Sequence, residues 1–311
     1  MVLARGMKIM TVLIVVSAIL FSCGRKPESA PTKTIGVSLL TRAHVFYKDL
    51  EEGLQSEAAK NGYELIITAG EMDLGKQSAQ IEDFITRKVD AIILCPVDSR
   101  GVGPAVKKAN DAKIPVFTAD IAAQEGEVVA HIASDNVAGG RLAGECLGKI
   151  MHGKGSVAII GQPTVTSVLD RVQGFKEAIG MFTDIKIVAD VNGEGLRDRA
   201  MQAALDILQA HPDLAGIFGI NDDSALGALD AVQQFKRERI SIIGYDAIPA
   251  AVDAITKGTS LKADVVQYPK KIGVMTITMI KDFFAGAVVP KIVPVEVGIV
   301  DKETLEESPR P

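Results

Sequence analysis

Residue types that carry specialised chemistry are missing or scarce in this 311-residue chain, which has no Trp and only 4 His. The histidines lie far apart in the sequence and show no helical pairing, so no metal-ligand spacing is present; they are His44, His131, His152 and His211. The 34 Lys and Arg residues do not exceed the 39 Asp and Glu residues, so the basic surplus typical of nucleic-acid-binding proteins is also missing. The composition argues against a metal site and against a nucleic-acid partner.

Signatures of catalysis and of nucleotide binding are missing as well. The chain contains no Gly-x-Ser-x-Gly motif, the turn that presents the nucleophile of an α/β-hydrolase. Residues 148–155 nearly match a phosphate-binding loop, but Gly155 stands at the Ser or Thr position and the segment leads into a predicted strand rather than out of one. We therefore expect a protein that is not an enzyme and that needs no cofactor.

What is present is the composition of a packed globular protein, with 47% apolar and 23% charged residues. The 29 Gly and 13 Pro residues supply the turns of an alternating α/β chain. Cys95 lies in an apolar run and Cys146 in a helical pattern, so we expect two buried thiols rather than a disulfide.

Residues 1–22 differ from the rest of the chain. Arg5 and Lys8 are their only charged residues, and residues 9–21 are nearly all apolar. This pattern predicts a secretory signal peptide, whose apolar part is too short to span a bilayer comfortably. Its removal would take away two positive charges and no negative one, leaving a more acidic mature protein.

The end of this segment, Leu20 to Gly24, resembles a bacterial lipobox. The resemblance implies a lipoprotein in which the thiol of Cys23 is lipidated and Cys23 becomes the mature N-terminus. An uncleaved anchor and cleavage at another position stay open as alternatives. Residues 23–33 are polar and rich in Pro, which predicts an unstructured tether between the membrane and the folded part.

From Thr34 onward, short apolar runs alternate with helical patterns, which predicts βα units and mainly parallel sheets. Most candidate strands are continuously apolar, as strands covered on both faces must be. They are residues 35–40, 64–68, 91–95, 116–119, 128–133, 156–160, 185–189, 216–220, 240–245 and 261–266. Because about ten strands exceed one comfortable doubly wound sheet, we expect two lobes with a cleft between them.

Polar and aromatic residues follow several of these strands, and in parallel sheets the carboxyl ends of the strands are where ligands bind. The residues are Arg42, His44, Phe46, Tyr47, Asp120, Asn221, Asp246 and Gln267, with Arg171 near the start of a helix. Carboxylates and amides match hydroxyl groups, the guanidinium donates several hydrogen bonds, and the aromatic rings cover C–H surfaces. The set therefore predicts a polyhydroxylated ligand. We expect Asp222 and Asp223 to cap the next helix.

Three longer segments, residues 127–136, 221–229 and 243–246, are similar to the periplasmic sugar-binding proteins of the ribose-binding type. The resemblance runs from about residue 34 to residue 300. It implies the type I periplasmic binding protein fold, with two Rossmann-like, doubly wound α/β lobes joined by three hinge strands. The implied N-terminal lobe comprises residues 34–134 plus 267–294, and the implied C-terminal lobe comprises residues 135–266 plus 295–311.

Carried over to this sequence, the family's sugar contacts fall on His44, Phe46, Tyr47, Asp120, Arg171, Asn221, Asp246 and Gln267. Asp120 and Asp246 are then hydroxyl acceptors rather than a glycosidase pair. The sequence also departs from the ribose binder at four places: Ile121 replaces an Arg, His44 replaces an Asn, Tyr47 replaces a Phe, and Gly195 lies near the place of a stacking Phe. These departures speak against ribose itself, and another pentose, a hexose or a sugar alcohol fits at least as well.

The function that the resemblance implies is that of a monomeric, periplasmic or extracytoplasmic lipoprotein that binds a monosaccharide or polyol and delivers it to an ABC permease. Its contact with the membrane is expected through the N-terminal lipid only. A sugar sensor that feeds a chemoreceptor or a sensor kinase is the first alternative. The effector core of a repressor is a second, which the export signal in place of a helix-turn-helix disfavours.

Overall fold

Strands and helices alternate along nearly the whole of residues 32–307, the part of the chain that the computed structural model describes. In chain order the elements are β1 (Thr34–Leu39), α1 (Val45–Lys60), β2 (Glu64–Ala69), α2 (Leu74–Thr86), β3 (Ala91–Leu94), α3 (Gly103–Asp111), β4 (Val116–Ala119), β5 (His131–Ser134), α4 (Asn136–Ile150), β6 (Lys154–Gly161), α5 (Thr166–Ile179), β7 (Asp184–Asn192), α6 (Arg197–Ala210), β8 (Leu214–Gly219), α7 (Asp222–Gln234), β9 (Ser241–Asp246), α8 (Pro249–Thr256), β10 (Leu261–Val266), α9 (Pro269–Phe284), β11 (Ile292–Val295), β12 (Gly298–Asp301) and α10 (Lys302–Glu307). The predicted signal peptide, Cys23 and most of the predicted tether lie outside the described residues.

The strands form two six-stranded sheets, which we call the first and second lobe together with the helices that flank them. The first sheet has the order β11-β5-β4-β3-β1-β2, and all of its strand pairs are parallel. The second has the order β12-β10-β9-β8-β6-β7, in which only β12 pairs in the antiparallel direction. Every residue of β3 and β4 is buried, as expected for strands covered on both faces. The predicted α/β architecture with two doubly wound sheets is confirmed.

The chain passes between the two sheets three times. It leaves the first sheet after β5, returns after β10, and crosses again between β11 and β12. Helix α9, which follows β10, packs against α1 of the first lobe so closely that a Cβ on Gly273 would lie 2.5 Å from the carbonyl oxygen of Leu50. β11 ends at Val295, one residue past the predicted boundary between the lobes.

β11 and β12 were not predicted from the sequence, and the ends of some elements differ from the prediction. β11 is short and contains Pro294, which lacks the N–H of a central strand but is tolerated here because β11 lies at the edge of its sheet. Gly62 and Gly258 follow helices in the left-handed conformation that glycine favours there, with φ of 68° and 71°. Gly180, in contrast, ends α5 with an ordinary helical φ of −63°.

Helices α4 and α5 of the second lobe pack backbone against backbone. A Cβ on Gly140 would lie 2.0 Å from the carbonyl oxygen of Arg171, and a Cβ on Gly174 would lie 2.0 Å from that of Val137. Only glycine permits this approach. As a result, the backbone of Arg171 rests directly on α4.

No helix among the described residues is long and apolar enough to cross a bilayer. Cys95 is buried and Cys146 is half-buried, and neither forms a disulfide within residues 32–307.

We predict that Gly174→Ala lowers the free energy of unfolding by about 1–3 kcal/mol, because the added methyl group forces α5 away from α4. In a helix without such a contact, the same change raises stability, since alanine is the better helix former. Gly161→Ala is the control, because its Cβ would meet its nearest neighbour at 3.6 Å. Urea denaturation measures both variants, and unchanged stability of Gly174→Ala would contradict the close packing.

Candidate functional site

A cavity of about 330 Å³ is lined by residues that follow strands of both sheets. Its volume falls within the range of small-molecule sites, about 300–1,000 Å³. The cavity is lined by all the residues that the family resemblance singled out as sugar contacts or as departures from the ribose binder: His44, Phe46, Tyr47, Asp120, Ile121, Arg171, Gly195, Asn221, Asp246 and Gln267. The fold thus brings together side chains that lie more than 200 positions apart in the sequence.

Other lining residues were not found from the sequence. They are Leu40, Thr41, Ala43, Glu71, Met72, Gln162, Val165, Ser167, Val168, Leu196, Ile220 and Asp223. Glu71 and Gln162 follow β2 and β6, so the rule about the carboxyl ends of strands would have found them. Arg42, by contrast, was expected near the site but pairs with Glu51 on the outside, with 46% of its side chain exposed.

The carboxylate of Asp246 is the meeting point of the cavity's polar groups. Gln267 donates a hydrogen bond from Nε2 to its Oδ1, and the guanidinium Nη1 of Arg171 lies 3.9 Å from the same oxygen. Nε2 of His44, from the first lobe, lies 3.4 Å from Oδ2. Only 6% of the Asp246 side chain is exposed, so these neighbours replace water around a buried charge.

The geometry fixes which nitrogen of His44 carries a proton in the neutral ring. His44 is the N-cap of α1, and its Nδ1 accepts a hydrogen bond from the backbone N–H of Phe46 (3.2 Å). Nε2 must then be the protonated nitrogen. Among the described residues this buried Nε2 has no hydrogen-bond partner, and neither has the buried Oε1 of Gln267. The cavity therefore offers one open donor and one open acceptor beside Asp246.

Arg171 is held on three sides. Its Nε donates to Oδ1 of Asn136 and its Nη1 to the carbonyl of Ile220, both at 2.8 Å. Its Cζ lies 3.9 Å from the centre of the Tyr245 ring, a cation–π distance.

Asp120 and Tyr47 form a second polar pair in the cavity. The hydroxyl of Tyr47 donates to Oδ2 of Asp120 at 2.7 Å. Burial raises the pKa of Asp120 from 3.8 to about 6, against the opposing effects of the Arg171 charge and the Tyr47 hydrogen bond. Burial and the nearby Asp120 also raise the pKa of Tyr47, so this phenol is a neutral donor. Asp120 has a left-handed backbone, with φ of 66°.

The side chain of Asn221 is bound at both ends. Its Oδ1 accepts from the N–H of Ser224 (2.9 Å), which makes it the N-cap of α7, and its Nδ2 donates to the carbonyl of Gly195 (3.0 Å). The expectation that Asp222 and Asp223 cap this helix is therefore wrong. Asp223 instead lines the cavity, and Asp222 is completely buried.

Hydrogen bonds next to the cavity also join the two lobes directly. Ser99 of the first lobe donates from its N–H to the carbonyl of Thr164 (3.0 Å) and accepts at Oγ from the N–H of Thr166 (3.0 Å). The N–H of Ala122 donates to Oγ1 of Thr166 (3.0 Å). We call these residues the interlobe clasp.

The sequence matches the family model described as "Periplasmic binding protein domain" over residues 35–287. It is 33% identical to the ribose import binding protein of Salmonella typhimurium over 290 residues, which cover 93% of this chain and 97% of that protein. It is 29% identical to a xylitol-binding protein of Mycolicibacterium smegmatis over 256 residues, 80% of this chain and 73% of the relative.

A solved structure shows the same relationship. A periplasmic solute-binding protein of an ABC transporter from Actinobacillus succinogenes, with bound D-allose, superposes with a TM-score of 0.81 at 28% identity, covering 89% of this chain and 100% of that one. This chain belongs to the periplasmic binding protein family. The type I fold implied by the sequence resemblance is confirmed.

We predict a pH dependence of stability that comes from Asp120. Because its pKa is 3.8 ordinarily and about 6 in the folded protein, the folded state binds the proton more tightly between these values. Its contribution to the free energy of unfolding therefore falls as the pH rises from about 4 to 6 and stays constant above. Between pH 4 and 7, the free energy of unfolding of the wild type should fall by about 1–3 kcal/mol relative to that of Asp120→Asn.

Urea denaturation at pH 4, 5, 6 and 7, without any added sugar, measures this difference. Asp282→Asn, a change of the same kind outside the cavity, is the control. If the stabilities of wild type and Asp120→Asn run parallel over this range, the buried carboxyl does not titrate as described.

Proposed function

We propose that this periplasmic binding protein captures a neutral monosaccharide or sugar alcohol between its lobes and delivers it to an ABC permease. The observation that carries the proposal is the open donor of His44 and the open acceptor of Gln267 beside the Asp246 carboxylate. A hydroxyl group satisfies both, since it donates one hydrogen bond and accepts others. The names of the relatives, which include a ribose import binding protein and a xylitol-binding protein, support the same class of ligand.

The charges in the cavity favour a neutral ligand. Asp120, Asp223 and Asp246 face it, and Arg171 is already close to Asp246. An anionic ligand would meet these carboxylates without a free cation to offset the repulsion. Each ligand hydroxyl that is missing would leave a buried polar group unpaired, at a cost of about 1–3 kcal/mol, so the cavity discriminates strongly among polyols.

The other wall of the cavity is apolar. Ile121, Val165 and Val168 line it, all three nearly completely buried. Phe46 and Tyr47 pack edge to face, with ring centres 5.2 Å apart, and both line the cavity. The sequence resemblance implies that Ile121 stands in place of an Arg of the ribose binder, and we propose a ligand with one edge that is bulkier or less polar than that of ribose.

Capture works by closure of the lobes on the ligand. His44 and Asp120 belong to the first lobe, whereas Arg171 and Asp246 belong to the second. A ligand can contact the residues of both lobes only when the lobes are together, so it binds the closed state more tightly than the open state. This difference in affinity shifts the population toward the closed state. The closed lobes present a joint surface that a permease can recognise.

We further propose that the protein is a lipoprotein held at the membrane by a lipid on Cys23. The apolar residues 9–21, the lipobox-like sequence around Cys23 and the polar residues that follow support this. One lipidated end and a short tether would keep the lobes near a permease in the same membrane.

We predict that Asp246→Ala and Arg171→Ala each weaken sugar binding by about 30-fold or more, because each leaves its buried polar partners unpaired. A thermal-shift screen with pentoses, hexoses, sugar alcohols and inositols identifies the sugar, since a ligand that binds only the folded state raises Tm. Calorimetric titration then measures its affinity for each variant.

Asp253→Ala and Arg141→Ala are matched controls, because both residues form exposed ion pairs outside the cavity. They should bind like the wild type. Unchanged affinity of both Asp246→Ala and Arg171→Ala would refute the site, and a response only to solutes other than sugars and polyols would refute the ligand class.

For the anchor, we predict that Cys23→Ser moves the protein from the membrane fraction to the soluble fraction and abolishes incorporation of labelled palmitate. Cys146→Ser is the control and should remain in the membrane fraction, because its thiol lies in the folded part. Retention of Cys23→Ser in the membrane together with the label would contradict lipidation at Cys23.

A further inference from the structure

Two buried carboxyl groups meet behind the cavity wall. Asp222, in the first turn of α7, and Asp264, on β10, are both completely buried, and their side chains are hydrogen-bonded to each other. Neither residue lines the cavity. A hydrogen bond between two carboxyl groups requires that one of them keeps its proton.

The surroundings favour the protonated pair. Burial, the adjacent Asp264 and, more weakly, Asp246 all raise the pKa of Asp222. Two buried carboxylates side by side would repel each other at a cost that a shared proton removes. The pair therefore behaves as one acid and one carboxylate joined by a hydrogen bond.

Each member of the pair also accepts a hydrogen bond from the segment that follows Asp246. Oδ1 of Asp264 accepts from the N–H of Ala247 (3.0 Å), and Oδ2 of Asp222 accepts from the N–H of Ile248 (2.7 Å). The pair thus binds two successive backbone amides directly after the central carboxylate of the cavity.

This segment needs such support, because its backbone is strained. Asp246 and Ala247 have φ of 116° and 54°, a region that side-chain-bearing residues rarely adopt and keep only when their surroundings hold them there. A strained backbone beside a buried carboxylate is typical of a binding group that is held in position, and not of a free loop.

The strand β9, next to the two carboxyl groups, has a glycine where they lie against it. A Cβ on Gly244 of β9 would lie 2.3 Å from Oδ2 of Asp264 and 2.8 Å from Oδ1 of Asp222. Any other residue at position 244 would therefore displace the two carboxyl groups. Gly244, Asp222 and Asp264 form one unit from three neighbouring elements.

We infer that Asp222 and Asp264 are positioning residues, whose joined carboxyl groups hold the backbone of residues 247 and 248 so that the Asp246 carboxylate faces His44 and Gln267. The effect of Asp222 and Asp264 on sugar binding rests on the proposed function, in which Asp246 is a hydroxyl acceptor. The positioning itself does not depend on any ligand.

The first test therefore uses the protein without sugar. Hydrogen exchange resolved by NMR reports the protection of the Ala247 and Ile248 amides in the wild type, in Asp264→Asn and in Asp264→Leu. Asparagine can accept from Ala247 through Oδ1 and donate to Asp222 through Nδ2, so protection should be retained. Leucine can do neither, and both amides should exchange about tenfold faster or more.

The second test measures affinity for the tightest binder among D-ribose, xylitol, D-allose and myo-inositol. Asp264→Leu should weaken binding by about tenfold or more, whereas Asp264→Asn should stay within about threefold of the wild type. Val265→Ala is the control: it removes buried apolar contacts from the same strand, so it lowers Tm without changing affinity or the exchange of the two amides.

Should Asp264→Leu fail to fold, Asp264→Ser replaces it, because serine is too short to reach Ala247 and adds no bulk. Wild-type exchange at Ala247 in the folded Leu or Ser variant overturns the inference, and so does loss of protection in Asp264→Asn. If none of the four sugars binds the wild type, the proposed function fails for this panel, while the exchange experiment still decides the positioning role.

Discussion

The buried carboxylate of Asp246 is the constraint on which the arrangement of the two lobes depends. A charge removed from water is stable only when several dipoles or opposite charges replace the water, and one structural element cannot supply them all. Here they come from His44 at the start of α1, from Arg171 on α5 and from Gln267 at a crossing between the lobes. The carboxyl ends of the strands of both sheets must therefore face the same place. Parallel strands, joined by three crossings between the sheets, bring these ends together.

The sequence was sufficient to predict the two-lobe α/β fold and to select residues that line one cavity, because both follow from local patterns. Continuous apolar runs identify buried parallel strands, and the polar residues that follow them, such as Asp120 and Asp246, must collect at one edge. The resemblance to sugar-binding proteins added Ile121 and Gly195, which have no polar side chain and thus no signal of their own.

What could not be predicted depends on contacts between distant residues. Asn221 caps α7, whereas the side chain of Asp222 pairs with Asp264 on a distant strand, and no local pattern reveals this pairing. The same holds for the apolar wall around Val165, since a valine after a strand looks like any core residue. The interlobe clasp was missed because Ser and Thr in loops normally satisfy the nearby backbone.

The glycine contact between α4 and α5 has a consequence for how such a cavity changes its specificity. Since the backbone of Arg171 rests on α4 without intervening side chains, its guanidinium cannot be shifted by a small substitution without disturbing two helices. Ile121 and Gly195 lie outside the helices and strands, where a change of side chain disturbs less packing. Divergence toward a new ligand, in nature or in a designed biosensor, should therefore proceed through exchanges at the loops while the arginine stays as a fixed reference point.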